Sequence, residues 1–325
     1  MSTLFVCNTG GHLVELLSLA ERLPFERGEE LWVTFDDAQS RSLLRGRDVE
    51  FIRYPSPRDL RVTVANTITA IELHRRRRFT WAVSTGAGVA VSFLPVARAH
   101  GAQCHYIESA TRIAGPSMTG RLLAAVPGIG LHTQTTRWSG RRWSYVGSIF
   151  DGFEAVDAAP ACTHSVVVSL GSSQTFGFRR LVAKVADILP PGSEVLWQTG
   201  STPVDDLGLP TVPYLAAGQL ESAFATTDVV VAHAGVGTAL TALRAGRFPI
   251  LVPRESGHGE HVDDHQFEVA AELQARGLAL CRTVDELCSD DLITASSRRV
   301  QRAASPPTLD LRRRGARVGF CHPCL

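Results

Sequence analysis

The residues VVVAHAGVGTALTALRA at 229–245 carry the strongest structural signal in the chain. The apolar run predicts a buried strand, and the glycines after it predict a tight turn into a helix that continues to Ala245. The start of such a helix directs unpaired N–H groups and positive dipole toward a ligand beyond the strand. Thr238 is placed to donate a hydrogen bond to a phosphate, and His233 lies within reach of it. The segment therefore predicts an anion site at a strand–turn–helix junction.

The same pattern recurs on both sides of this segment. Short apolar runs alternate with stretches in which apolar residues return at helical spacing, as they do after Gly11. Such alternation, with short connections, predicts an α/β fold of parallel sheets covered by helices on both faces. The predicted strands are 4–7, 31–35, 82–84, 103–107, 165–169, 194–198, 228–232 and 248–252.

The pattern restarts near the middle of the chain, which predicts two domains of similar, nucleotide-binding-like architecture. Residues 151–163 are rich in Ala, Asp and Pro and lack periodicity, as is typical of a linker. The predicted organisation is one domain at 1–150, a linker at 151–163, a second domain at 164–295 and a basic C-terminal segment at 296–325. We expect that segment to be a frayed end or an arm that touches the surface.

Composition narrows the class of protein. The 325 residues are 44% hydrophobic with a formal net charge of +1, so the chain can bury a core and does not show the basic footprint of nucleic-acid binding. No apolar run approaches the ~18 residues of a membrane span, and no signal peptide is evident. The seven cysteines are scattered, which favours a reducing, cytoplasmic compartment, and the C-x-x-C at 321–324 lacks partners for a zinc site.

The first half places polar residues where strands end. Gly10, Gly11 and His12 follow the first predicted strand, so the glycines allow a ligand to approach the backbone and His12 points into the crevice beyond the sheet. The alternative is a tight turn with a surface histidine. Glu108 follows the strand at 103–107, where it is either a cleft carboxylate or a turn-capping one.

The second half holds two further polar groups. Residues 169–173, Ser-Leu-Gly-Ser-Ser, form a weak signal for a phosphate-binding nest. His261 and His265 are spaced to lie on one helix face beside two aspartates, which suggests a metal site, a sugar-contacting cluster or a solvated helix start. The glycines before them favour the sugar-contacting cluster over a catalytic metal.

The run Arg75–Arg78 follows an amphipathic stretch at 64–73. Such a run is most often a solvated face. The alternative is attraction to anionic lipid headgroups, because an apolar stripe beside basic residues suits a membrane surface.

The ordered set of motifs resembles a known family. Residues 4–150 resemble the Alg14-type glycosyltransferase subunit through TGGHLVE at 9–15, STGAGV at 84–89 and YIESATR at 106–112. Residues 165–280 resemble the Alg13-type subunit and the C-terminal half of MurG-like enzymes through SLGSS at 169–173, HAGVGT at 233–238 and DDHQFEVA at 263–270. Bacterial exopolysaccharide glycosyltransferases have similar paired halves, and here both lie in one chain.

The resemblance implies a GT-B fold, in which two Rossmann-like domains face a central cleft. It also implies inverting transfer from a UDP-sugar to a hydroxyl acceptor, often polyprenyl-linked, with no metal or other cofactor. His12 matches the general base, and Glu15 or Glu108 would orient or replace it. The implied substrate-binding residues are Gly10, Gly11, Gly171, Ser172, Ser173, Gln198, His233, Gly235, Gly237, Thr238, Thr241, Asp264, His265 and Gln266.

The chain departs from this pattern at Thr241. Many relatives have a glutamate there that holds the ribose hydroxyls, so selection of uridine is less secure than binding of a sugar nucleotide. The N-terminal membrane helix of eukaryotic Alg14 is also absent, so we expect a lipid-linked acceptor to be reached peripherally, at the inner face of the membrane. The competing hypotheses are a UDP-sugar epimerase on the same fold, a natural-product glycosyltransferase and a non-catalytic partner of another subunit.

Overall fold

The computed structural model describes residues 1–53, 60–159, 165–171 and 175–311. Within these ranges no helix is both long and apolar enough to cross a membrane. The predicted Ser172 and Ser173, the start of the predicted second domain at residue 164 and the end of the basic segment lie outside them.

The first domain is an α/β layer structure around one parallel sheet. Its strands follow the order β3-β2-β1-β4-β5-β6-β7, and every neighbouring pair is parallel, with the elements β1 (Ser2–Cys7), α1 (Gly11–Ala20), β2 (Glu29–Phe35), α2 (Ala38–Leu43), β3 (Val49–Ile52), α3 (Leu60–Arg76), β4 (Trp81–Gly86), α4 (Val89–Ala99), β5 (Gln103–Ile107), α5 (Met118–Ala124), β6 (Ile129–Thr133) and β7 (Ser144–Tyr145).

The second domain repeats this plan with a parallel sheet in the order β11-β10-β9-β12-β13-β14. Its elements, with the strands on either side, are β8 (Phe153–Asp157), β9 (Ser165–Ser169), α6 (Arg179–Ile188), β10 (Glu194–Gln198), β11 (Thr211–Val212), α7 (Ala217–Thr226), β12 (Val229–His233), α8 (Val236–Arg244), β13 (Ile250–Val252), α9 (His265–Ala275), β14 (Leu280–Cys281), α10 (Ser289–Ser296) and β15 (Arg298–Arg302).

Burial on both faces explains why the central strands read as continuous apolar runs. Along β1, Leu4 and Val6 face one core cluster, while Phe5 and Cys7 face another. The second cluster continues through α1 into the second domain, so the two domains share packed apolar surface. The strands predicted from these runs are confirmed, and the fold is GT-B, as the resemblance implied.

Part of the predicted linker at 151–163 forms the strand β8. This strand pairs antiparallel with β15 near the end of the described chain, in register from Phe153–Arg302 to Asp157–Arg298. Neither strand has an apolar pattern that predicts it from sequence. Each forms by pairing with a segment about 145 residues away, and the side chains of Gln301 and Glu154 are hydrogen-bonded across this pair.

The chain after β15 returns to the first domain. The backbone N–H of Leu309 donates to the carbonyl of Arg22 at 2.9 Å, and that of Asp310 donates to Val146 at 3.1 Å. Leu309 and Leu311 are buried. Up to residue 311 the basic segment is therefore an arm packed on the first domain rather than a frayed end.

Candidate active site

A cavity of about 270 Å³ lies between the two domains. It forms where the carboxyl ends of both parallel sheets face each other, the position at which open α/β sheets bind ligands. The first domain lines it with Gly10, Gly11, His12, Val14, Glu15, Gln39, Leu43, Ser109 and Thr111, and the second with Gly171, Gln198, Tyr214, Leu215, Ala217, Leu220, Glu221, His233, Gly235, Val236, Gly237, Thr238, Thr241 and Arg244.

The two glycine-containing turns meet across this cavity. A Cβ atom on Gly237 would lie 3.2 Å from the Cα of Gly11, and one on Gly11 would lie 3.6 Å from the backbone N of Gly237. The 3.2 Å distance is tighter than ordinary contact, so a side chain at position 237 would require α1 and α8 to shift, whereas a Cβ at position 11 would make ordinary contact. Glycine here thus brings the first turns of the two helices to one point.

His12 stands in the first turn of α1, at the wall of the cavity. Its Nδ1 lies 3.1 Å from the carbonyl oxygen of Thr85, and the hydroxyl of Thr85 donates to the carbonyl of His12 at 3.0 Å. Because a carbonyl only accepts, Nδ1 carries the proton and Nε2 keeps a lone pair. This tautomer is the one that a general base needs.

Burial lowers the pKa of His12 below its ordinary value of 6.5, and the charge of nearby Arg112 lowers it further. The hydrogen bond to Thr85 opposes both effects but does not cancel them. The imidazole is therefore neutral at pH 7 and able to accept a proton.

Glu15 lies one turn further along α1 and is completely buried. Its Oε1 accepts hydrogen bonds from the backbone N–H of Ala110 at 2.7 Å and from the amide of Gln134 at 2.5 Å. Burial raises its pKa to about 7, although these hydrogen bonds lower it. The carboxyl borders the cavity and fixes the loop after β5.

Glu108, which the sequence predicts as a candidate catalytic residue, is not among the residues that line the cavity. Glu108 is buried away from the cavity, and its carboxylate accepts from the Tyr106 hydroxyl at 3.0 Å and from the backbone N–H and hydroxyl of Ser117. Ser117 caps α5, so Glu108 anchors the start of that helix. The turn-capping alternative describes this residue.

The N-terminus of α8 faces His12 from the second domain. Gly235 is its N-cap and has no side chain to satisfy the first N–H groups of the helix. The amides at 236–238 therefore remain available to an anion, and Thr238 adds a hydroxyl at the same wall. The strand–turn–helix junction for which the sequence predicts an anion site lies at this cavity.

His233 sits between the loop after β9 and the start of α8. Its Nδ1 lies 3.4 Å from the carbonyl of Ser169, and a Cβ on Gly171 would come within 2.5 Å of the ring. Burial and the charge of Arg254 lower its pKa to about 3. His233 is therefore a neutral polar wall of the cavity rather than a cation.

Gln198 also lines the cavity, but all its polar atoms are engaged. Its Oε1 accepts from the hydroxyl of Ser169 at 2.6 Å, and its amide donates to the carbonyls of Gly171 and Pro213. It holds the loop after β9 against the loop before α7. It therefore shapes the site, and its contact with a substrate remains a prediction.

Thr241 lines the cavity one turn below the start of α8. Its hydroxyl donates to the carbonyl of Gly237 at 2.9 Å. The oxygen therefore remains as an acceptor only.

Asp264, His265 and Gln266 are not among the residues that line the cavity, and their contact with a substrate remains a prediction. Asp264 accepts from the backbone and hydroxyl of Ser256. Gln266 is buried and accepts from the backbone N–H of Arg254 at 3.1 Å. These side chains organise the loop 254–264.

His261, Asp263 and His265 place three potential ligand atoms within 4.8 Å of one another. His265 and His261 both direct Nδ1 at the same oxygen of Asp263. Asp263 thus engages the Nδ1 atoms of both histidines. His261 and His265 lie close enough to His233 to contribute to the lowered pKa of that residue.

Sequence reasoning missed several residues that build the site. Arg254 is 2% exposed, and its guanidinium donates to the carbonyls of Leu170 and Phe176, which flank the glycine-containing loop. Glu221 and Arg244 line the cavity from α7 and α8. No motif contains these residues, and only the position of Arg254 after β13 offered a signal.

Comparison with known proteins agrees with this geometry. Residues 165–295 match the family "Glycosyltransferase family 28 C-terminal domain". Curated proteins give no match to the chain.

Solved structures of glycosyltransferases superpose on nearly the whole chain. MurG of Acinetobacter baumannii shares 16% identity at a TM-score of 0.57, covering 90% of this chain and 89% of MurG. Glycosyltransferase SnogD of Streptomyces nogalater shares 19% identity at a TM-score of 0.56, and the match covers 91% of this chain and 90% of SnogD. Spinosyn rhamnosyltransferase SpnG, solved with thymidine diphosphate, shares 17% identity at a TM-score of 0.54, and the match covers 91% of each chain.

The fold is GT-B, and its second domain matches the C-terminal domain of glycosyltransferase family 28. The family match over 165–295 and the shared fold together support a glycosyltransferase of the GT-B type.

Proposed function

We propose that the protein is an inverting glycosyltransferase that transfers a sugar from a UDP-sugar to a hydroxyl acceptor. One observation carries the proposal. A neutral histidine of the first domain and the uncapped N-terminus of α8 in the second domain border the same cavity, joined by the close approach of Gly11 and Gly237.

The donor diphosphate is assigned to the second domain. Amides 236–238 and the positive end of the α8 dipole stabilise the negative charge that develops on the leaving group. Thr238 adds a hydroxyl donor, and the loop at Gly171 closes the other side. Because fixed amides supply this stabilisation, the proposed reaction needs no divalent metal ion.

The acceptor is assigned to the first domain. Nε2 of His12 takes the proton of the acceptor hydroxyl as its oxygen attacks the anomeric carbon and the bond to the diphosphate breaks. The base and the leaving-group site are on opposite walls, so attack comes from the face opposite the departing diphosphate. That arrangement produces inversion of the anomeric configuration.

We propose a lipid-linked acceptor, consistent with the resemblance to fused Alg14-type and Alg13-type halves. The exposed faces of α3 and α5 support this, because both helices pack on α4 and expose large apolar side chains. Val64 and Ile68 on α3 are 59% and 52% exposed, and Met118 and Leu122 on α5 are 69% and 52% exposed. With Arg121 beside them, these residues suit a peripheral contact with the cytoplasmic face of a membrane.

The assignment of His12 is tested by H12A. Turnover should fall by about 100-fold or more, because general-base catalysis contributes on that order. Affinity for UDP, measured by isothermal titration, should stay within about twofold. His100→Ala is the matched control, since His100 is an exposed histidine of the same domain whose Nδ1 also contacts a backbone carbonyl, at 2.9 Å from Val96.

The donor class is tested by a thermal-shift screen with UDP, UDP-glucose and UDP-N-acetylglucosamine. A ligand that binds the native state raises the apparent melting temperature. Absence of a shift with every uridine nucleotide would overturn the proposed donor. The anomeric configuration of the product, read by NMR, tests inversion, and conversion of the donor without an acceptor would identify an epimerase instead.

A second candidate is transfer from a thymidine diphosphate sugar to a small-molecule acceptor. It is favoured by the similarity to SpnG, which was solved with thymidine diphosphate, and by the threonine at position 241.

A further inference from the structure

Two charged residues of the cavity have no partner among the residues that the structure describes. Glu221 on α7 and Arg244 in the last turn of α8 both line the cavity, and neither makes a hydrogen bond or ion pair through its side chain there. The Nε of Arg244 is buried and has no acceptor. A buried N–H without an acceptor is costly, so a ligand atom is the natural partner.

The position of Arg244 along α8 relates it to the proposed diphosphate site. Gly237, Thr241 and Arg244 all line the cavity at spacings of four and three residues, so they share one helix face. Seven residues of helix extend about 10 Å, which is comparable with the distance from a diphosphate to the far side of its nucleoside. Glu221 reaches the same wall because α7 packs beside α8. With the diphosphate at the proposed site, the nucleoside end of the donor would extend toward these side chains.

The chemistry of the wall indicates which part of the nucleoside Glu221 contacts. The hydroxyl of Thr241 is already committed as a donor to Gly237, so it offers one acceptor atom at most to a ligand hydroxyl. A carboxylate offers two acceptor oxygens, which match the two neighbouring hydroxyl donors of a ribose.

We propose that Glu221 accepts hydrogen bonds from the 2′- and 3′-hydroxyls of the donor ribose and that Arg244 donates to the same nucleoside. The pair makes the site selective for ribonucleoside diphosphates over 2′-deoxyribonucleoside diphosphates such as thymidine diphosphate. This inference rests on the proposed donor site, and it separates the two candidate functions.

The size of the effect follows from the lost hydrogen bond. Without the 2′-hydroxyl, one carboxylate oxygen loses a charge-assisted hydrogen bond in a partly desolvated site. Such a loss corresponds to about 10- to 100-fold weaker binding. Wild-type protein should therefore bind UDP about 10- to 100-fold more tightly than 2′-deoxy-UDP.

The experiment is isothermal titration of UDP and 2′-deoxy-UDP into the full chain and its variants. E221A should bind both nucleotides with nearly equal affinity, close to that of wild type for 2′-deoxy-UDP, and E221Q should keep an intermediate preference. R244M should weaken both nucleotides by a similar factor and keep their ratio. E194A is the control, because Glu194 is an exposed glutamate of the same domain outside the cavity, and it should change neither affinity.

A preference for UDP that persists in E221A, or equal binding of the two nucleotides by wild type, would overturn the inference while leaving the proposed transferase in place. Failure of wild type to bind either nucleotide would overturn the uridine donor itself. Circular dichroism and melting temperatures of the variants separate loss of recognition from loss of folding.

Discussion

Gly171→Ala should disturb the donor site through a single contact. Gly171 has φ +77°, a region in which an alanine costs on the order of 1 kcal/mol. A Cβ there would also lie 2.5 Å from Cε1 and 2.9 Å from Nε2 of His233, well inside contact distance. The ring is rigid, and its Nδ1 contacts the carbonyl of Ser169, so turning it aside would break that contact.

The magnitude of the contact can be separated from that of the backbone. Gly192 has φ +80° in the same domain, and a Cβ there would meet nothing within 4 Å. G192A should therefore report the backbone cost alone, about 1 kcal/mol. G171A should cost about 1–3 kcal/mol more, as overpacking of a well-packed site does.

The assay is denaturant unfolding with UDP titration in parallel. G171A should lower the stability of the second domain more than G192A, and it should weaken UDP binding because His233 lines the cavity. The double variant G171A/H233A removes the ring and should recover most of the extra loss in stability. Equal stability of G171A and G192A, or no recovery in the double variant, would refute the reasoning.

Three further predictions concern the ionisable groups. The pKa of Glu15 is raised from 4.5 to about 7 by burial, so its contribution to stability is full below pH 4.5 and is lost as the pH rises through 7. E15Q should remove this loss, which amounts to about 3 kcal/mol. In urea unfolding, the free energy of unfolding of E15Q should therefore rise relative to that of wild type between pH 5 and pH 8. A difference between the two proteins that does not change with pH would contradict this prediction. The lowered pKa of His12 places the acidic limb of the pH profile of kcat/KM below pH 6.5. R112Q should move that limb to higher pH, because it removes a nearby positive charge. A limb that does not move would contradict the assignment of His12 as the base. D151N should lower the melting temperature by several degrees, because Asp151 pairs with Arg276 at 2.6 Å and lies 3.7 Å from the buried guanidinium of Arg22; an unchanged melting temperature would show that the pairs contribute little.

Much of the fold could be predicted from the sequence because parallel strands buried on both faces leave an unmistakable apolar signature. The runs at 4–7 and 165–169 became β1 and β9, the first strands of their sheets in chain order. The edge strands β8 and β15 could not be predicted in this way. They are half-exposed, and their pairing joins segments that only the finished fold brings together.

Some residues of the candidate site could likewise be assigned from sequence, and others could not. Glycines after a strand are a local requirement of the turn, so Gly10, Gly11, Gly235 and Gly237 could be assigned to a ligand cleft from sequence alone. Residue type alone did not place Glu108, which the sequence offered as a cleft carboxylate and which holds Ser117, the N-cap of α5.

By itself, the sequence determined the two α/β halves and the turns at which their helices begin, because those features depend on periodicity and backbone freedom over a few residues. Only the tertiary structure decided which side chains share the cavity. His12 and Gly237 are brought together by packing of two domains, and Glu221 and Arg244 by packing of two helices. Contacts of that kind depend on distances between remote parts of the chain, which local pattern does not encode.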